Sequence, residues 1–176
     1  MKISEGSGSA HNNMTAFVAS VAANPLFMRF RSLPIGSALA VGEAMELFSC
    51  FEEESFRHGD EIYMAGSNSA RTVYLILQGS VALRDAPGNF YATLKCGDVF
   101  GLFSFLDERP HSVSVSALED VAVLSLSRSF FDLITLEDPL LGNRLLHFMF
   151  RLLSHMSLTL DSEYAALREY RRGMLK

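Results

Sequence analysis

The chain has 176 residues, 49% hydrophobic and 20% charged, which is enough apolar material for one packed domain and too much for a disordered one. Its 15 Lys and Arg stand against 20 Asp and Glu, a net charge of −5, and such a chain lacks the basic surface whose counterion release drives nucleic-acid binding. No uncharged apolar stretch reaches the ~18 residues that span a bilayer, and the two cysteines, Cys50 and Cys96, make neither a disulfide framework nor a metal knuckle.

In chain order, residues 1–13 are rich in Gly, Ser and Asn and read as a flexible lead without the apolar core of a signal peptide. Residues 14–50 read as N-terminal helices. Phe17, Val18, Val21, Ala22, Leu26 and Phe30 share a helical face broken at Pro25, and Leu39, Val41, Met45, Leu47 and Phe48 suggest a further helix before Glu52-Glu53-Glu54. From 51 to 126 the period changes to short β-branched and aromatic runs separated by Gly59, Gly66, Gly79, Gly88 and Gly97. The runs are Glu61–Met64, Val73–Leu77, Val81–Leu83, Phe90–Leu94, Ser112–Ala117 and Val121–Leu126. The fold class is therefore α+β, an antiparallel β-barrel or jelly roll flanked by helices.

Residues 127–176 return to a helical period. Ser127 is placed as an N-cap, and Asp138-Pro139 opens a second helix with proline in its permitted first turn. Leu146, Leu153, Leu160, Leu167 and Met174 then recur seven apart, interleaved with Met149, Met156, Glu163 and Tyr170, a heptad pattern. A helix from Asp138 to Gly173 would run ~54 Å at 1.5 Å per residue, farther than the barrel can cover. A homodimer through this helix is expected, with Leu146, Leu153, Leu160 and Leu167 in the seam; the alternative is a helix that folds back or frays after Thr159.

Several segments in order carry a resemblance. Phe56-Arg57-His58-Gly59-Asp60-Glu61-Ile62-Tyr63 is followed by Gly66. Tyr74-Leu75-Ile76-Leu77-Gln78-Gly79-Ser80-Val81 comes next, then Gly97-Asp98-Val99-Phe100-Gly101, then Ala117-Leu118-Glu119-Asp120 with Leu124 and Phe131. From about Ala38 to Ser154 the chain resembles the cyclic nucleotide-binding domain family, which includes catabolite activator protein and the regulatory subunit of protein kinase A. The resemblance implies a jelly-roll regulatory domain with a phosphate-binding cassette, here Phe100-Gly101-Leu102 through Arg109-Pro110-His111-Ser112 to Val115-Ser116-Ala117. Leu102 stands where the family has the glutamate that meets the ribose, and His111 where it has the arginine that pairs with the cyclic phosphate.

A guanidinium grips two phosphate oxygens at once, whereas a neutral imidazole offers one donor and no formal charge. Losing two hydrogen bonds to charged groups costs roughly 3–6 kcal/mol, about 10² to 10⁴ in affinity. The residues left for a ligand are Gly101, Leu102, Arg109, His111 and Ser112. Arg109 is either a substitute cation or a solvated loop charge beside Asp107 and Glu108. Leu102 is expected to fill part of the vacated pocket.

Elsewhere the signals are thin. His58 and His111 are too few for a metal site, and His147 and His155 read as flank residues of the last helix. Arg168, Arg171, Arg172 and Lys176 complement its dipole. No nucleophile elbow, P-loop or dinucleotide fingerprint is present. The expectation is a non-catalytic, cytoplasmic regulatory or sensor module with no cofactor, metal, nucleic acid or membrane partner. A protein partner would read it, since no helix-turn-helix follows the long helix within these residues. The alternative is a genuine small-ligand receptor, or a weak cyclic AMP or cyclic GMP receptor, using His111, Arg109 and Ser112; a metal-dependent barrel enzyme is the third reading.

Overall fold

A computed structural model describes Ala16 and residues 19–68, 70–107 and 109–154. The Asn24-Pro25 pair sets the first boundary. Asn24 Oδ1 accepts from the Leu26 and Phe27 amides at 2.8 and 3.4 Å, so helix α1 (Pro25–Ser32) starts afresh after the turn at Ala23. Helices α2 (Pro34–Ser37) and α3 (Val41–Phe48) follow. Arg31 Nη1 donates to the carbonyls of Gly36 and Leu39 at 2.6 and 2.8 Å, tying the three helices together.

The strands are β1 (Glu52–Phe56), β2 (Glu61–Tyr63), β3 (Thr72–Gln78), β4 (Ser80–Arg84), β5 (Phe90–Lys95), β6 (Val99–Phe100), β7 (Ser114–Ala117) and β8 (Val121–Ser127). They form two antiparallel four-stranded sheets, ordered β1-β8-β3-β6 and β2-β7-β4-β5. The result is a jelly-roll-like sandwich and not a closed barrel. Strand β6 pairs with β3 for only two residues, Val99 and Phe100, before the chain turns away at Gly101, so no continuous ladder joins the sheets.

Burial explains the two kinds of strand pattern. The first sheet is covered on both faces. Val73, Leu75, Leu77, Leu124 and Leu126 meet the helices, while Ile76, Val121 and Val123 meet the second sheet. A strand buried on both faces reads as a near-continuous apolar run, as β3 and β8 do. The second sheet buries one face, so β7 alternates Ser114, Ser116 with Val115, Ala117. Strand β1 runs through the acidic segment, pairing Glu52–Phe56 with Ser125–Val121 at the sheet edge, where the carboxylates reach water.

After the sheets, α4 (Leu102–Asp107) lies between β6 and β7, and α5 (Arg128–Glu137) is capped by Ser127 Oγ, which accepts from the Phe130 amide at 3.3 Å. Helix α6 spans 139–154 and is opened by Asp138, whose Oδ1 accepts from the Leu140 and Leu141 amides at 3.1 and 3.0 Å. Leu145, Phe148, Met149 and Leu152 are its inward face, and an Arg144–Glu46 ion pair ties it to α3. Met149 therefore belongs to the intramolecular core and not to the expected seam. The outward face carries Leu146 and Phe150, both exposed, whereas half-buried Leu153, another expected seam residue, packs partly against the helix-side core. Leu160 and Leu167, with Met156, Glu163, Tyr170, Met174 and the basic residues after them, lie outside the described residues, as do residues 1–13. No helix among the described residues is long and apolar enough to cross a membrane.

Candidate functional site

Glycine sets the geometry of the cassette. Gly101 has φ +79°, and a Cβ there would stand 2.3 Å from the Thr72 carbonyl oxygen. Any other residue is strained and in collision, so β6 passes into α4 only here. The six residues of α4 then sort sharply. Leu102 and Phe105 are buried against the helices and the first sheet, while Phe103 and Leu106 face solvent.

The expected cassette residues are not all brought together. Leu102 does not fill the ligand space: it is 1% exposed in the helix-side core, and this corrects the expectation that it plugs the pocket. The reason is helical spacing, since Leu102 and Phe105 occupy one face of α4 and that face packs inward. Arg109 is turned outward, 78% exposed, with Nη2 3.3 Å from an Asp107 carboxylate oxygen; Glu108 lies outside the described residues. Ser112 is exposed, and the engaged hydroxyl is that of Ser114, which accepts from the Ala65 amide at 2.9 Å.

His111 does enter the site. Its ring stacks on Tyr63 with centroids 3.7 Å apart and planes within 10°, and Tyr74 stacks on Phe100 at 4.8 Å and 11°. The two pairs form one cluster, with Tyr63 lying 6.0 Å from Phe100 and 6.5 Å from Tyr74. The backbone of His111 is pinned as well, accepting from the Gly66 amide at 2.7 Å and donating to the Ser67 carbonyl at 3.2 Å. Ser104 Oγ donates to the Gly101 carbonyl at 2.9 Å and lies 3.4 Å from His111 Nδ1. With the hydroxyl proton committed to that carbonyl, we assign the Nδ1–H tautomer, in which Nδ1 faces the Ser104 oxygen as donor and Nε2 is the acceptor.

The electrostatics are those of a neutral site. Burial pushes the His111 pKa down, favouring the uncharged imidazole. Burial pushes the Tyr63 phenol well above its ordinary range; Tyr74 beside it works the same way, and a hydrogen bond from the Gly101 backbone works against both. The Tyr74 phenol is raised too, by burial first and then by Glu54. Both phenols stay protonated. A pocket of about 170 Å³ remains beside this cluster, lined by Ile62, Tyr63, Asn68, Ala70, Thr72, Tyr74 and His111.

Sequence reasoning missed Tyr63, Tyr74 and Ser104. A tyrosine in a short strand says nothing of its partner across the sandwich, although the clustering of aromatics at 63, 74 and 100 was a usable hint. The other candidates are structural. His58 Nδ1 meets the Leu118 carbonyl at 2.6 Å, away from His111. Cys50 is buried, its thiol pushed up to about 11 by burial, then by Glu46 and Asp138, and Cys96 bonds to the Leu77 carbonyl at 3.2 Å. His147 is exposed on α6 and His155 lies outside the described residues. Among the described residues no group of three or more His, Cys, Asp or Glu is placed to hold a metal.

Comparison with known proteins agrees with this architecture. Residues 53–138 match the family model described as the cyclic nucleotide-binding domain. The chain is 30% identical to the Cyclic AMP receptor protein of Thermus thermophilus over 155 residues, covering 80% of this chain and 71% of that protein. A cyclic nucleotide-binding domain from Methylobacillus flagellatus superposes with TM-score 0.65 at 21% identity, covering 86% of this chain and 85% of the other. The regulatory subunit of a cAMP-independent protein kinase A from Trypanosoma brucei gives TM-score 0.60 at 23% identity, covering 88% and 53%.

Proposed function

From a chain that belongs to the cyclic nucleotide-binding domain family, we propose a non-catalytic regulatory module that does not bind cyclic nucleotides tightly. The observation that carries this reading is the Tyr63–His111 stack. At the position where the family pairs an arginine with the phosphate stands a neutral imidazole already covered by a tyrosine ring. That tyrosine also lines the pocket beside His111, with Tyr74. The neighbouring cation, Arg109, is turned into solvent beside Asp107, away from the His111 pocket lining.

Size supports the same reading. Small-molecule sites usually enclose about 300–1,000 Å³, and the space beside His111 is about 170 Å³. A ligand that binds two states equally shifts neither, so such a module transmits through a partner or another ligand. That a kinase regulatory subunit described as cAMP-independent shares the fold makes this use of the scaffold plausible on structural grounds. Titration calorimetry with cyclic AMP and cyclic GMP at pH 7 checks it. The expected result is no saturable heat, or a Kd well above micromolar; a tight isotherm contradicts the reading and favours the receptor alternative through His111, Arg109 and Ser112.

The division of labour proposed is N-terminal helices over 14–50, the jelly roll with its cassette over 51–126, and C-terminal helices over 127–176 that dimerise, in a cytoplasmic setting without nucleic acid. Exposed Leu146 and Phe150, four residues apart, give α6 an apolar outer face. Replacing Leu146 and Phe150 together by Glu should convert a dimer to a monomer in light scattering without unfolding the protein. A dimer that survives both changes places the interface elsewhere.

A further inference from the structure

The pocket beside His111, about 170 Å³ and lined by aromatic and polar side chains, is smaller than most small-molecule sites. We propose that it binds an uncharged, single-ring heterocycle carrying a ring N–H donor next to a hydrogen-bond acceptor, with Tyr63, Tyr74 and His111 as its walls. This rests on the reading that the cassette does not take a cyclic nucleotide.

Volume fixes the size of the ligand. A cavity of ~150 Å³ holds benzene, so about 170 Å³ admits one six-membered ring with a substituent or two. Its charge follows from the lining. Asn68, Thr72, Tyr74, Tyr63 and His111 are the polar groups there, and no Lys, Arg, Asp or Glu lines the space among the described residues. Burial keeps His111 neutral and both phenols protonated. An ion entering such a site loses water without gaining a counter-charge. The aromatic character of the ligand follows from the walls, because Tyr63, Tyr74 and His111 line the space together and aromatic rings pack well edge to face or offset against another ring.

The hydrogen-bond pattern follows from what is unused. Ser104 engages His111 Nδ1, so Nε2 is a bare acceptor in a ring that lines the pocket and has no protein partner among the described residues. The Asn68 carboxamide also lines it, half in solvent, with no hydrogen bond to protein among the described residues. A ligand N–H matches Nε2, and a neighbouring carbonyl matches the Asn68 amide donors. Thr72 is less available, since its hydroxyl donates to the Ala70 carbonyl at 3.4 Å.

The experiment is a protein-observed NMR titration of the native chain at pH 7.5, following the ring resonances of Tyr63, Tyr74 and His111. Uracil is the probe with the right size, neutrality and donor–acceptor edge; benzoate is a ring of similar size with a charge, and cyclic AMP tests the underlying reading. Uracil should move these resonances saturably and benzoate should not. Asn68→Leu should weaken uracil about tenfold, the loss of one good hydrogen bond, and this exposed residue without protein partners can be replaced without touching the core. His111→Phe should weaken it similarly while keeping the stack on Tyr63. If no ring moves the resonances, or benzoate moves them as uracil does, or Asn68→Leu leaves uracil unaffected, this proposal is overturned and the reading of the cassette stands. Saturation by micromolar cyclic AMP overturns that reading instead.

Discussion

On one side of the first sheet, Phe30, Phe48, Phe51 and Phe148 meet tilted or edge to face at 5.9–6.0 Å, and every one of them is buried. On the other side, Tyr63 and His111 lie parallel at 3.7 Å with space beside them. The first arrangement is how apolar rings fill a volume without gaps. The second holds polar atoms inside the sandwich and leaves room. The helix-side core is where the fold gains its stability, and the cassette side is where it keeps a site. Leu102 is the residue that confuses the two: it sits at a family ligand position in sequence and in the helix-side core in space.

The contrast can be broken most forcefully at that residue. Leu102→Glu, which restores the family's residue type, should destabilise the protein by about 3–5 kcal/mol in urea unfolding, because it buries a carboxylate without a partner. Phe148→Ala should cost about as much, ~3–5 kcal/mol, through the cavity it leaves. A Leu102→Glu protein of native stability would mean that α4 can rotate this position into the pocket.

On the cassette side the effects should be smaller and graded. Gly101→Ala should cost more than the ~1–2 kcal/mol of a left-handed residue, since its Cβ also meets the Thr72 carbonyl. Urea unfolding measures it, and an unchanged midpoint would mean the turn adapts. Tyr63→Phe keeps the stack on His111 and removes a pocket-lining hydroxyl, for about 0.5–1.5 kcal/mol at most, read by the same urea unfolding.

The smallest effect is a pH dependence. His111 has its pKa lowered by burial, so the unfolded chain takes up a proton at higher pH than the folded one. The stability that the neutral ring contributes is fully present above the ordinary histidine value of 6.5 and is lost as the pH falls through it toward the folded value. His111→Phe should flatten that part of the stability profile relative to the native chain. An unaltered profile between pH 7 and 5 would assign the acid sensitivity to other groups.

Much of the fold was legible because burial writes itself into periodicity. The continuous runs of β3 and β8 signalled strands covered on both faces, the Ser/Val alternation of β7 a strand covered on one, and Asn24-Pro25 and Ser127 marked helix starts. Strand β1 was hidden because Glu52-Glu53-Glu54 satisfies no strand propensity, and its pairing with β8 at the sheet edge overrides that. The heptad misassigned Met149 because apolar residues occupy both faces of α6. Inward Leu145, Phe148, Met149 and Leu152 alternate with outward Leu146 and Phe150, and spacing alone does not say which stripe meets the sheet. At the site, the departures at positions 102 and 111 were readable, but what replaced the missing groups was not. Tyr63 meets His111 because β2 pairs with β7 in the second sheet and His111 lies just ahead of β7, a pairing between distant segments that is invisible in local sequence.

Crystals grown in millimolar cyclic AMP provide the most direct measurement. The density should show Tyr63 and His111 parallel and in contact, as in the stack at 3.7 Å, and no nucleotide. A nucleotide seated against Gly101 with the tyrosine swung aside would contradict the account at its root.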